Sequence, residues 1–195
     1  MLLPNVDYTK DYLSGDLSGK ITNLQLFVLE CMKVFISHQQ ADSVKAAEIA
    51  RHLRTRHAID SNLDVVDPKI GMHEGPELAQ HVRDQMDKCD SLLAVVSYET
   101  AKSQWVPWEI GIATEKDFPL ATYADTYMPL PEFLQKWPYI TSISELDKYA
   151  NAVNQMIGRS RTSVLAKGYS MESFNQSNRA TTREFYRNLR AGLGR

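Results

Sequence analysis

Cysteine is scarce in this 195-residue chain: it has two, Cys31 and Cys89. Two thiols cannot build a disulfide framework, and no CxxC or Cys/His cluster suggests a metal. No metal ligand and no resident cofactor are therefore expected. Both cysteines lie at the approaches to apolar runs and read as buried free thiols of a reducing compartment. Long apolar runs are missing too. None reaches the eighteen or so residues that a membrane helix needs, and Met1 to Lys20 lacks the basic-then-apolar order of a leader. The cytoplasm is the expected location. Nor does one sign of charge dominate. A formal net charge of −2 gives no global attraction to nucleic acid or a membrane surface. Repeats and low-complexity segments are absent.

What is present is an ordinary globular composition, 43% apolar and 24% charged, enough for a real core. The length suits one domain with extensions: residues 1–31, a domain over 32–157, and a basic helical tail over 158–195. Between Gly158 and Arg195 eight Arg or Lys face two Glu. Residues 1–20 show no sustained period, and Ile21 to Glu30 is apolar enough to pack as a short helix or strand.

Lys33 to Ser37 (KVFIS) reads as a buried strand. A loop, His38-Gln39-Gln40, follows, and Asp42 or Ser43 caps a helix running to about Arg56 with Val44, Ala47, Ala50 and Leu53 inward. Leu63 to Val66 is a second strand ended by Asp67-Pro68. After Pro76 comes a helix with Leu78, Val82, Met86 and Cys89 on its inner face. Ser91 to Ser97 is the most apolar strand, as expected of a central parallel strand covered on both sides. A helix opens near Trp105, Phe118 to Tyr123 is a fourth strand, and Pro129 to Trp137 is a loop or short helix. Tyr139-Ile140 is an abbreviated fifth strand, Glu145 to Met156 a helix, and Thr181 to Leu193 an amphipathic closing helix. Alternating strands and helices predict an α/β fold, a flavodoxin-like doubly wound five-stranded parallel sheet. In such sheets ligands bind beyond the strands' carboxyl ends. There this sequence places His38 to Gln40, Asp67-Pro68 and Ser97 to Glu109.

The most informative stretch is Ser103-Gln104-Trp105-Val106-Pro107-Trp108-Glu109. Pro107 suits a first helical turn. Trp105 and Glu109, four apart, share a helical face and set an aromatic plane beside an anion. That pairing suits a flat cationic ring. The same residues also admit a packing role, with Trp105 and Trp108 as core anchors and Glu109 as a capping charge.

Taken in order, Val34 to Ser37, Leu63 to Asp67, Cys89 to Ser97 and Ser103 to Glu109 resemble a Toll/interleukin-1 receptor (TIR) domain over roughly residues 33–155. The Trp-x-x-x-Glu arrangement resembles the NAD-cleaving branch, which includes bacterial antiphage-defence proteins. The resemblance implies that Glu109 is catalytic, that Trp105 lines the nicotinamide end, and that the loop His38-Gln39-Gln40 faces the nucleotide; Ser37 and Ser97, at the ends of their strands, are expected among the substrate-binding residues. It further implies that Asp67 shapes the pocket and takes part in TIR–TIR assembly, so a homo-oligomer is expected. Several relatives carry aromatic and arginine residues where this chain has His38 and Gln39, and glutamine cannot pair with phosphate as arginine does.

The chemistry is compatible with one carboxylate. The nicotinamide of NAD departs as a neutral base and needs no general acid. The ribose left behind is oxocarbenium-like, and a carboxylate can stabilise it. NAD is thus the expected substrate, nicotinamide with ADP-ribose or a cyclic ADP-ribose signal the products, and a separate effector protein the sensor. Each residue keeps a plainer reading: His38 as a loop residue, Ser37 and Ser97 as caps or strand ends, Asp67 as a turn former. Two other functions stay open, a non-enzymatic TIR–TIR interaction module and a nucleoside deoxyribosyltransferase-like enzyme. Base exchange between deoxynucleosides would reveal the latter.

Overall fold

A computed structural model describes residues 32–63, 76–125, 132–167 and 171–194. Five parallel strands form one sheet in the order β2-β1-β3-β4-β5. They are β1 (Lys33–Ser37), β2 (Asp60–Leu63), β3 (Ser91–Val95), β4 (Leu120–Tyr123) and β5 (Tyr139–Ile140). The helices are α1 (Ser43–His57), α2 (Pro76–Met86), α3 (Trp105–Glu115), α4 (Ile143–Lys167) and α5 (Met171–Leu193). This is the expected flavodoxin-like order.

Alternation along the strands divides the core into two layers. On β1, Val34 and Ile36 join Leu53 of α1, Tyr149 and Val153 of α4, and Phe185 and Leu189 of α5. Phe35, between them, joins Val82 and Met86 of α2 with Val106 and Ile110 of α3. Every residue of β3 is buried, which explains why its sequence is a continuous apolar run. Ser91 is its polar exception, and its hydroxyl lies 3.2 Å from the Tyr149 hydroxyl, so both buried oxygens are partnered.

Several boundaries and faces differ from expectation. The second strand begins at Asp60, three residues early, and its remainder beyond Leu63 lies outside the described residues. The inner face of α1 is Ala46, Ile49 and Leu53, whereas Val44 and Ala47 are exposed. Val44 and Leu53 are nine residues apart, and at about 100° per residue that places them on opposite sides of a helix. The helix after Pro76 stops at Met86, so Cys89 is buried in the approach to β3 and not on a helix. Burial pushes its thiol up to about 12, which makes it a poor nucleophile. Strand β4 starts at Leu120 because Pro119 has no N–H to give the ladder, although its carbonyl accepts from Leu92. Cys31 and the segment Ile21 to Glu30 lie outside the described residues. No helix among those residues is long and apolar enough to cross a membrane.

The closing helix packs inward. Phe185 meets Tyr149 edge to face, with ring centroids 5.9 Å apart. The Tyr186 hydroxyl accepts from the Leu120 N–H and donates to the Phe118 carbonyl, and Thr182 donates to the Asp117 carbonyl. Helix α5 therefore clasps the entry to β4.

Candidate active site

Strand β1 ends on Ser37, whose side chain is fully buried. Immediately after it the chain turns through His38 and Gln39 into a short 3-10 turn, Gln40–Asp42, and then α1. His38 donates from Nδ1 to the Ile36 carbonyl at 3.1 Å. A carbonyl can only accept, so Nδ1 carries a proton. Gln39 buries its side-chain oxygen with no hydrogen-bond donor among the described residues. A buried amide oxygen left this way costs about 1–3 kcal/mol, so it suits a donor supplied from outside.

Helix α3 delivers the other half of the site. Its N-cap position is Gln104, which makes no side-chain cap; Ser103 instead accepts from the Val106 N–H at 3.3 Å. Pro107 falls on the third helical residue, inside the first turn where an intrahelical N–H bond is not needed. Glu109 is the fifth, one turn in, so it is no cap. Its side chain is only 2% exposed, and the Ser37 hydroxyl donates to its Oε2. Trp105, one turn earlier, is half-buried and stands T-shaped to Trp108, centroids 5.5 Å apart and planes at 88°. Trp108 packs on the apolar layer, so it supports Trp105 from below.

Ser97 follows β3 and is occupied locally. Its Oγ accepts from the Glu99 N–H and its own N–H donates to Thr100 Oγ1, a reciprocal cap on the turn Tyr98–Lys102. The same hydroxyl donates to Asp42 Oδ2 at 2.9 Å. Asp42 therefore occupies the N-cap position of α1 without capping it, because its carboxylate is turned to Ser97. Burial raises the Asp42 pKa above its ordinary value, while the Ser97 hydroxyl and nearby His38 oppose the rise.

The structure thus brings Ser37 and Glu109 into contact and sets His38 and Gln39 next to Ser37 along the chain. Ser97 is joined to Asp42. Asp67 lies outside the described residues. The role of Asp42 was not foreseen, because an aspartate before a helix reads first as its cap. A buried serine–carboxylate pair, an orphaned amide oxygen and a braced tryptophan can hold a polar ring and stabilise positive charge beside it.

Residues 34–157 match a family model described as TIR domain. Among solved structures, the chain is similar to the TIR domain of the Toll-related receptor TRR-2 from the lower metazoan Hydra magnipapillata. That match has 14% identity and a TM-score of 0.46, covering 66% of this chain and 97% of the other. It is also similar to the SEFIR domain of interleukin-17 receptor B, at 10% identity and a TM-score of 0.49, covering 64% and 96%. No curated protein matches. With its parallel sheet ordered β2-β1-β3-β4-β5 and the family match spanning most of its length, this chain belongs to the TIR domain family.

Proposed function

We propose that this TIR domain cleaves NAD at the nicotinamide–ribose bond, as an NAD glycohydrolase or ADP-ribosyl cyclase of antiphage defence. TIR domains include both NAD-cleaving enzymes and signalling adaptors, and they associate through TIR surfaces. One observation carries the enzymatic reading: Glu109 is a carboxylate buried at the carboxyl edge of the sheet, held by Ser37, one helical turn from Trp105. A hydrophobic residue there would pack without the desolvation cost that a buried carboxylate brings. The charge therefore calls for a use other than stability.

In the proposed reaction Trp105 stacks on the pyridinium, an interaction of about 0.5–2 kcal/mol. The C–N glycosidic bond breaks and its electron pair leaves with nicotinamide, now neutral. Glu109 stabilises the ribosyl cation. Ser37 holds the carboxylate, and the Gln39 oxygen accepts from a substrate hydroxyl or amide. Water then attacks the sugar and releases one proton, giving ADP-ribose. A ring nitrogen of the adenine attacking in its place gives a cyclic product, which a separate effector protein senses in the cytoplasm.

The test is chromatography with mass detection of NAD incubated with wild type and with Glu109→Gln. Glutamine keeps an acceptor for Ser37, so the fold is retained. The reading expects NAD consumption by the wild type alone, and the product mass separates linear from cyclic ADP-ribose. Intact NAD after assembly has been induced and infected-cell lysate added would refute it. One observation favours a non-enzymatic interaction module: Val44 and Tyr98 are 76% and 70% exposed, on segments joined by the Asp42–Ser97 bond. That reading expects Val44→Asp with Tyr98→Asp to abolish self-association in a chain that never consumes NAD.

A further inference from the structure

The seam between α1 and α4 brings together three groups that the reaction does not use. His52 Nε2 lies 2.6 Å and His57 Nε2 2.7 Å from the same atom, Asp147 Oδ1. The ligand-competent atoms of all three residues fall within 4.8 Å of one another. Histidines five apart on a helix point about 140° away from each other, so spacing alone does not unite them. Here the rings fold in from either side, centroids 5.8 Å apart and planes at 51°. His57 closes α1, and the next residue, Ala58, turns the chain with a positive φ of 54°. Asn154 of α4 donates to the His57 carbonyl at 3.4 Å and ties that last turn to the same neighbouring helix.

We infer that His52, His57 and Asp147 form a zinc-class transition-metal site that staples α1 to α4. The donor set is two imidazole nitrogens and one carboxylate oxygen, which selects zinc and its neighbours over calcium or magnesium. Three protein ligands leave a fourth position for water. The histidines are held in place, with side chains 19% and 12% exposed, while Asp147 at 37% gives the ion a path from solvent. A tetrahedral ion with bonds of about 2.0–2.2 Å keeps its ligands about 3.3–3.5 Å apart. The shared oxygen must then retreat by about 0.7 Å, a small side-chain adjustment for a partly exposed carboxylate. On binding, each ring carries its proton on Nδ1, and Nε2 turns from hydrogen-bond donor to metal ligand.

The test uses the full, untagged chain, stripped with chelator and dialysed against zinc chloride. One equivalent of zinc is expected, with a rise in Tm that EDTA reverses and magnesium chloride does not reproduce. His52→Ala and Asp147→Asn should each weaken zinc binding at least about as much as losing an outer-shell partner does, 10- to 100-fold. Asp147→Asn also guards against misfolding, since the amide oxygen still accepts from both rings. No retained zinc in the wild type, or unchanged binding in both variants, overturns the proposal. Neither readout depends on NAD cleavage.

Discussion

Ser37 and Glu109 lie 72 positions apart in sequence and meet, both buried, at the carboxyl end of β1, hydroxyl to carboxylate. The contact joins the end of β1 to the second turn of α3, so it positions the candidate catalytic group as well as packing it.

Ser37→Ala removes the donor and leaves a buried carboxylate short of a partner. A loss of about 1–3 kcal/mol in stability is expected, with kcat for NAD falling about tenfold or more, the worth of a hydrogen bond to a charged group. Ser37→Thr restores the hydroxyl and should recover most of both. Thermal denaturation with steady-state kinetics checks this. Full activity in the alanine variant would remove Ser37 from the site.

Trp105→Ala should raise KM for NAD by about 2- to 30-fold, the range of an aromatic–cation contact. Trp105→Phe should fall between. Since Trp105 is half-buried and Trp108 carries more of the packing, the alanine variant stays folded. An unchanged KM would place the pyridinium elsewhere.

Asp42 gives a pH signature. Burial raises its folded-state pKa above the ordinary value of 3.8, so the folded chain binds this proton more tightly than the unfolded chain does. The stabilisation is full below 3.8 and is lost as pH rises through the folded value. At neutral pH the ionised form is therefore the less favourable one. Asp42→Asn, whose amide oxygen still accepts from Ser97, should gain Tm relative to wild type on going from pH 3 to pH 7. Paired melts across that range read the difference directly, and a flat or falling difference contradicts it.

Phe185→Ala should cost about 3–5 kcal/mol, as expected for a buried aromatic in a packed core. Chemical denaturation of the variant, followed by circular dichroism, measures it. Removal of residues 171–195 should give an unfolded or aggregated chain on sizing, not a well-behaved smaller species.

The sheet was legible because parallel strands buried on both faces are written as apolar runs, as in Val34 to Ile36 and Leu92 to Val95. Asp60 to Asn62 was missed for the complementary reason. They form a half-buried edge strand whose polar residues have low strand propensity, and only pairing with β1 makes them one. The face of α1 was misjudged because a strict three-residue step drifts around a helix, and only the real period puts Ile49 and Leu53 inward. Glu109 and Trp105 stood out by spacing. The contact of Glu109 with Ser37 depends on the register of β1 against β3 and on where α3 begins, which no local window encodes. The histidine–aspartate cluster was invisible for the same reason, since Asp147 comes 95 positions after His52.

The clasp of Tyr186 on the start of β4 sets an order of events for a chain being synthesised. Leu120 leaves the ribosome 66 residues before the hydroxyl that receives its N–H, which is several seconds or more at about 5–20 residues per second. During that interval β1, β3 and β4 can meet, but the apolar layer beneath α4 still lacks Phe185 and Leu189. Until that helix arrives the nascent sheet keeps one apolar face uncovered, and the last helix is the one that shuts it.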